Sequence, residues 1–120
     1  MSFPKATLDM LDRVREVDIE TLSPKGRRHD VPIWVVVDGD DVFVRTYRGK
    51  TSRWYRELLA APGALVVDGK RIRVRAVPAS DTESVRRASG RYRKKYPKSA
   101  SLDAMLRRSV LPTTLRLEPA

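Results

Sequence analysis

Two stretches of this sequence leave the backbone little choice. "VPIWVVV", Val31 to Val37, and "VFVRT", Val42 to Thr46, are separated by "DGDD". β-Branched runs joined across an Asp-Gly turn predict a hairpin. "ALVV" and "RIRVRAV" repeat the device around "DGK". In that second hairpin Ile72, Val74 and Ala76 alternate with Arg71, Arg73 and Arg75, so one face is apolar and the other wet. Pro32 fits at a strand's entry, where no ladder hydrogen bond is lost. A chain committed to two tight hairpins builds its core from antiparallel strands, and its helices must pack on them.

The remaining elements follow from spacing. In "FPKATLDMLDRV" Thr7 is the candidate N-cap, with Leu8, Leu11 and Val14 on one side of a short helix. Val17, Ile19 and Thr21 alternate with Asp18 and Glu20, a strand with one wet face, and "SPKGRR" ends it. "SRWYRELLAAP" places Trp54, Leu58 and Ala61 on one helical face, and Pro62 stops that helix. "SDTESVRRASGRYRKKYP" opens with Ser80 and Glu83 at capping-box spacing and carries a stripe of Val85, Ala88, Tyr92 and Tyr96. "ASLDAMLRRSV" predicts another short helix, and "TTLRLEP" a last strand with Thr113, Leu115 and Leu117 on one side. The expectation is a mainly β, α+β domain over residues 1–120, with six antiparallel strands forming a small barrel or a helix-covered sheet.

Charge narrows the partners. Lys and Arg number 25 against 15 Asp and Glu, a formal charge of +10, which favours polyanionic or phosphorylated ligands. With no cysteine, disulfides, thiolate metal sites and a cysteine nucleophile are excluded. A single histidine, His29, argues against a structural zinc site and a Ser-His-Asp triad, so no metal is expected. No apolar run reaches membrane-span length and the N-terminus lacks signal-peptide character, so a cytoplasmic protein is expected.

The basic residues fall into three groups. "KGRR" lies in a turn, and the run from Arg86 through Arg87, Arg91, Arg93, Lys94 and Lys95 to Lys98 lies opposite the tyrosine stripe, as on a solvated helix face. The third group is Arg45, Arg48, Lys50, Arg53 and Arg56, with no acid until Glu57. It joins a buried strand to a helix start, where backbone N–H groups and positive potential coincide. Gly49 would let the backbone approach a phosphate, and Arg48, Lys50 and Arg53 could hydrogen-bond it. Without Walker A or Rossmann spacing, the residues alone leave a phosphate cradle and an ordinary surface turn both open.

The stretch "TLSPKGRRHDVPIWVVVDGDDVFVRTYRGKTSRWYRELLAAPGALVVDGK" resembles the flavin-binding split β-barrel superfamily, especially the deazaflavin-dependent nitroreductase-like proteins and a related uncharacterised bacterial family. The resemblance spans Thr21 to about Ala79 and is carried by Gly26-Arg27, the Pro-Ile-Trp entry, the Asp-Gly hairpin and the Arg-Gly loop before Trp54-Tyr55; "TTLRLEP" matches the last strand. It implies a small antiparallel split barrel of about six strands with flanking helices. It also implies FMN or the 8-hydroxy-5-deazaflavin coenzyme as cofactor, and hydride transfer to a small organic acceptor. By the same resemblance Arg48, Gly49, Lys50 and Arg53 meet the phosphate, Arg45 and Thr46 are strand-end contacts, and Trp54 is a wall or core residue. The chain has Arg53 where a proline often precedes the tryptophan, and Glu57 where an asparagine often precedes the leucine.

A non-catalytic flavin carrier is the first alternative. A nucleic-acid binder is the second, although only Tyr47, Trp54 and Tyr55 interleave aromatics with basic residues. No side chain is assigned as catalytic; His29 or Tyr47 could at most relay a proton. The strand edges and the all-apolar "IWVVV" predict a homodimer.

Overall fold

The structure, a computed structural model, describes residues 2–120. In chain order it contains α1 (Lys5–Arg13), β1 (Val17–Leu22), β2 (Arg28–Ile33), β3 (Val36–Asp38), β4 (Asp41–Val44), α2 (Arg53–Ala60), β5 (Gly63–Val67) and β6 (Lys70–Pro78). Then follow α3 (Thr82–Lys95), α4 (Leu102–Leu106), a 3-10 turn at Leu111–Thr113 and β7 (Leu115–Pro119). All seven strands join one sheet in the order β2-β1-β5-β6-β7-β4-β3, and every neighbouring pair is antiparallel. The result is an α+β half-barrel.

Both Asp-Gly hairpins form. In the β5–β6 turn Asp68 (φ 51°) and Gly69 (φ 76°) both adopt the left-handed conformation, the geometry whose twist matches the strands it joins. The run "IWVVV" does not form one strand, which is why the sheet has seven rather than six. Pairing stops at Ile33 opposite Val17 and resumes at Val36 opposite Phe43, so β2 and β3 lie at opposite edges of the sheet. Trp34 and Val35 make the crossing. The Val35 carbonyl, freed from any ladder, accepts from Lys95 Nζ at 2.6 Å and from the Tyr96 hydroxyl at 3.4 Å. Lys95 Nζ also donates to the Leu11 carbonyl at 2.8 Å, and burial lowers its pKa to about 8. Pro32 is not at a strand entry but fifth in β2, where an edge position tolerates it.

The two faces of the sheet carry separate cores. Inside, Ile19, Leu65, Val74, Val44 and Leu117 pack with Leu11 of α1 and Leu58 of α2. Outside, Val36 and Phe43 are covered by Ala88, Tyr92 and Tyr96 and by Met105 of α4. Several local expectations shift. Thr7 lies within α1, which begins behind Pro4, and α3 is capped by Asp81, whose carboxylate accepts the Ser84 N–H at 3.0 Å, not by Ser80. Thr113 belongs to the 3-10 turn. Glu20, expected to be wet, is buried between Arg71 and Arg28, with Arg28 at 3.6 Å.

The α3 basic run is only partly a solvated face. Arg91 Nε meets Asp38 at 2.7 Å, and Arg87 reaches both Asp38 and Asp41, the latter at 2.9 Å. These pairs fasten α3 to the β3–β4 hairpin. Among the described residues no helix is long and apolar enough to cross a membrane.

Acid should loosen this fastening. The Arg71 hydrogen bond holds Glu20 below its ordinary 4.5; burial pushes Asp38 up, but Arg87 and Arg91 outweigh it and hold Asp38 below 3.8. Folded-state values lowered in this way contribute stability above the unfolded values, and that stability is lost as pH falls through the folded ones. The urea midpoint is expected to stay level from about pH 7 to pH 5 and to drop below it. Asp38→Asn should lower the midpoint at neutral pH and reduce the acid slope; an unchanged slope would remove this pair from the acid response.

Candidate functional site

The segment from β4 to α2 is shaped by two short backbone turns. Gly49 N–H donates to the Thr46 carbonyl and Ser52 N–H to the Gly49 carbonyl, each at 3.1 Å. Gly49 has φ +80°, a conformation that favours glycine. Thr46 is buried and its N–H donates to Thr113 Oγ1 at 3.2 Å, which fixes the start of the loop. Tyr47 and Arg48 are exposed; the Arg48 guanidinium lies 5.6 Å from the Tyr47 ring centroid.

The loop delivers the chain to an unusual helix start. Ser52 is the N-cap of α2, is buried, and makes no capping hydrogen bond with its hydroxyl. The first turn holds no acid, and Arg53 and Arg56 stand at the positive end of the helix dipole. That placement disfavours an isolated helix by roughly 0.3–1 kcal/mol per charge and is offset when an anion sits there.

Behind the loop Arg45 is fully buried. Its Nε donates to Thr114 Oγ1 at 2.8 Å, Nη1 to the Met105 carbonyl at 3.1 Å, and Nη2 to the Val85 carbonyl and Ser89 Oγ, each at 2.9 Å. The guanidinium lies 5.2 Å from the Tyr92 ring centroid. These four acceptors are neutral, and burial presses the arginine's pKa downward. The charge behind the loop is therefore not cancelled by an acid among its hydrogen-bond partners.

Glu57, one turn along α2, ties the helix to the sheet. Its Oε1 accepts from the Thr21 hydroxyl at 2.8 Å and from His29 Nδ1 at 3.2 Å, with Arg53 Nε 3.9 Å away. Burial pushes the Glu57 carboxyl up, but the Thr21 and His29 hydrogen bonds and the charges of His29 and Arg53 outweigh it and hold it below the usual range. An ionised acceptor requires the proton on His29 Nδ1.

These elements border a cleft of about 1080 Å³, just above the range of roughly 300–1,000 Å³ typical of small-molecule and cofactor sites. Its apolar wall includes Val31, Ile33, Trp34, Trp54 and Met105. Arg45, Arg48, Arg53 and Arg107 also line it, with Glu16 as the one acid among the described residues. Of the residues singled out in the sequence, Arg45, Thr46, Tyr47, Arg48, Arg53 and Trp54 meet at this cleft. Gly49 and Lys50 shape the loop outside its lining, and His29 stands one β2 repeat from Val31, bonded to Glu57. Ser52, Trp34 and Arg107 were not singled out. An N-cap serine before "RWYREL" is a readable signal, whereas Trp34 looks like strand core and Arg107 arrives from a distant helix end. Among the described residues no group of three or more His, Cys, Asp or Glu is placed to hold a metal ion.

A family model described as an uncharacterized protein conserved in bacteria, DUF2255, matches residues 7–117. The chain belongs to that family. No curated protein sequence matches this DUF2255 chain. Solved structures similar to it include an FAD binding protein from Mycobacterium smegmatis, with TM-score 0.65, 16% identity, and 100% of this chain and 92% of the other covered. The heme storage protein HutZ from Vibrio cholerae has TM-score 0.64 and 14% identity over 100% and 92% of the two chains. An F420 reductase has TM-score 0.58 and 13% identity over 98% and 96%. At these identities the likeness is one of fold, the split barrel of flavin- and heme-binding proteins.

Two substitutions separate scaffold from site. Arg45→Met leaves several buried acceptors unpaired and is expected to cost about 3 kcal/mol or more in urea unfolding. Ser52→Ala removes a hydroxyl that caps nothing and should change stability by less than about 0.5 kcal/mol. Equal losses in the two variants would contradict the division.

Proposed function

We propose that this protein binds a phosphorylated flavin-type cofactor, FMN or the 8-hydroxy-5-deazaflavin coenzyme, in the cleft and acts as an oxidoreductase toward a small organic acceptor. The observation that carries the reading is the presence, in the lining of one partly apolar cleft, of Arg48, Arg53 and Ser52, the α2 N-cap whose hydroxyl makes no capping bond. Such a set suits a phosphate, because charged side chains, a free hydroxyl and backbone N–H groups act together. The apolar remainder suits a conjugated ring. The folds of the FAD-binding and F420-reducing proteins described above support this choice.

When bound, the reduced cofactor supplies hydride transfer, giving two electrons and a proton to the acceptor. The chain's own work is to hold and to exclude. Arg48, Arg53 and Ser52 would anchor the anionic tail, Arg45 favours negative charge from behind, and Val31, Ile33 and Met105 keep water from the ring. Glu57 restrains Arg53 and keeps α2 on the sheet. A second reading, carriage of the cofactor without turnover, is favoured by one observation: the described cleft lining holds no histidine, cysteine or lysine to move a proton near neutral pH.

Titration with FMN, reduced and oxidised deazaflavin coenzyme, and hemin tests the proposal. FMN or the deazaflavin is expected to bind, and Arg48→Ala combined with Arg53→Ala should weaken it by about 1.5–3 kcal/mol per lost charge-assisted contact. Riboflavin, which lacks the phosphate, should be little affected by the same pair of changes. Binding of hemin alone would overturn the proposal. Oxidation of reduced cofactor by quinone or nitroaromatic acceptors above the protein-free rate decides between enzyme and carrier.

A further inference from the structure

The crossing between β2 and β3 gives Trp34 an unusual setting. Its ring stacks on Tyr96 with centroids 3.8 Å apart and planes 6° apart, and Tyr92 lies behind at 6.3 Å. Tyr96 is buried and fixed: its hydroxyl donates to the Arg15 carbonyl at 2.8 Å, and Arg15 and Lys95 approach its ring at 5.9 Å and 5.5 Å. Trp34 is thus held in one plane by a braced partner, yet it is only half-buried and forms part of the cleft wall. Trp54, the other tryptophan at the cleft, is buried in the interior cluster and stands edge-on to Tyr55 at 79°.

We propose that Trp34, backed by Tyr96, is the platform on which a planar conjugated ring stacks when an anionic cofactor occupies the cleft. The inference rests on the cofactor reading above and locates the ring within it. A partly open indole facing a cleft is apolar surface left in contact with water, and a flat ring that covers it removes that surface and gains an aromatic contact. The arginines of the same cleft select a ligand that also carries negative charge. The pre-set plane of Trp34 means that little side-chain freedom is lost on binding.

FMN and riboflavin share a ring and differ in the phosphate, so they separate the two ends of the site. In Trp34→Leu, affinity for both is expected to fall by the same factor, roughly tenfold to a hundredfold, while Trp34→Phe keeps most of it. In the unaltered protein the Trp34 indole resonance, assigned by its disappearance in Trp34→Phe, should shift strongly on adding FMN, and this holds even if the Leu variant does not fold. Unchanged affinity of a folded Trp34→Leu for both flavins, a loss for FMN only, or a shift confined to Trp54 overturns the inference and leaves the cofactor reading standing. Failure of the unaltered protein to bind FMN, riboflavin or the deazaflavin coenzyme overturns both.

Discussion

A buried arginine with neutral partners holds the cleft end of this molecule together. Arg45 joins the end of β4 to α3 through Val85 and Ser89, to α4 through Met105, and to the start of β7 through Thr114. Removing a guanidinium from water costs several kcal/mol, which is tolerable only because its donors meet acceptors. Those acceptors satisfy hydrogen bonds without cancelling charge. Arg48 and Arg53 face solvent and are screened by water and salt, whereas Arg45 acts through a less polarisable interior. The exposed pair can steer an anion inward, and the buried one keeps the cleft positive at rest.

The second constraint is curvature. A sheet with apolar residues on both faces needs cover on both, and α1 and α2 fill the inner side while α3 and α4 cover the outer one. The crossing at Trp34–Val35 connects the two edges, and Lys95 and Tyr96 satisfy the buried Val35 carbonyl that no ladder pairs. Scaffold and cleft are therefore coupled at one dipeptide: Val35 is held by α3, and its neighbour Trp34 forms the cleft wall.

What could be read in the sequence was what is decided locally. Hairpins at Asp-Gly turns and the stop at Pro62 depend on near neighbours and formed, as did the stripe at Ala88, Tyr92 and Tyr96, although its fourth expected member, Val85, is only half-buried and outside that cluster. The break inside "IWVVV" has no local signal, since a continuous apolar run looks the same in one strand as in two; the groups that satisfy the carbonyl it frees, Lys95 and Tyr96, lie 60 and 61 residues away. Asp38 and Asp41 likewise lie 46 to 53 residues from the arginines they bind, so the α3 basic run reads as uniformly wet. The basic loop was legible as charge, but charge does not reveal direction. Spacing cannot show that Arg45 turns inward, that Lys50 stays outside the cleft lining, or that Trp34 and Arg107 come to the same cleft.

Pro32 has a consequence for how the sheet can grow. It sits in the outermost strand, preceded at alternate positions by the exposed charged residues Asp30 and Arg28. A strand edge that lacks one donor and carries charge is a poor template for a further strand. Two copies of this chain, if they associate, are steered toward meeting through side-chain faces rather than through a shared ladder at this margin. The same residue protects a β-rich protein from open-ended sheet extension, the route by which such edges seed aggregates.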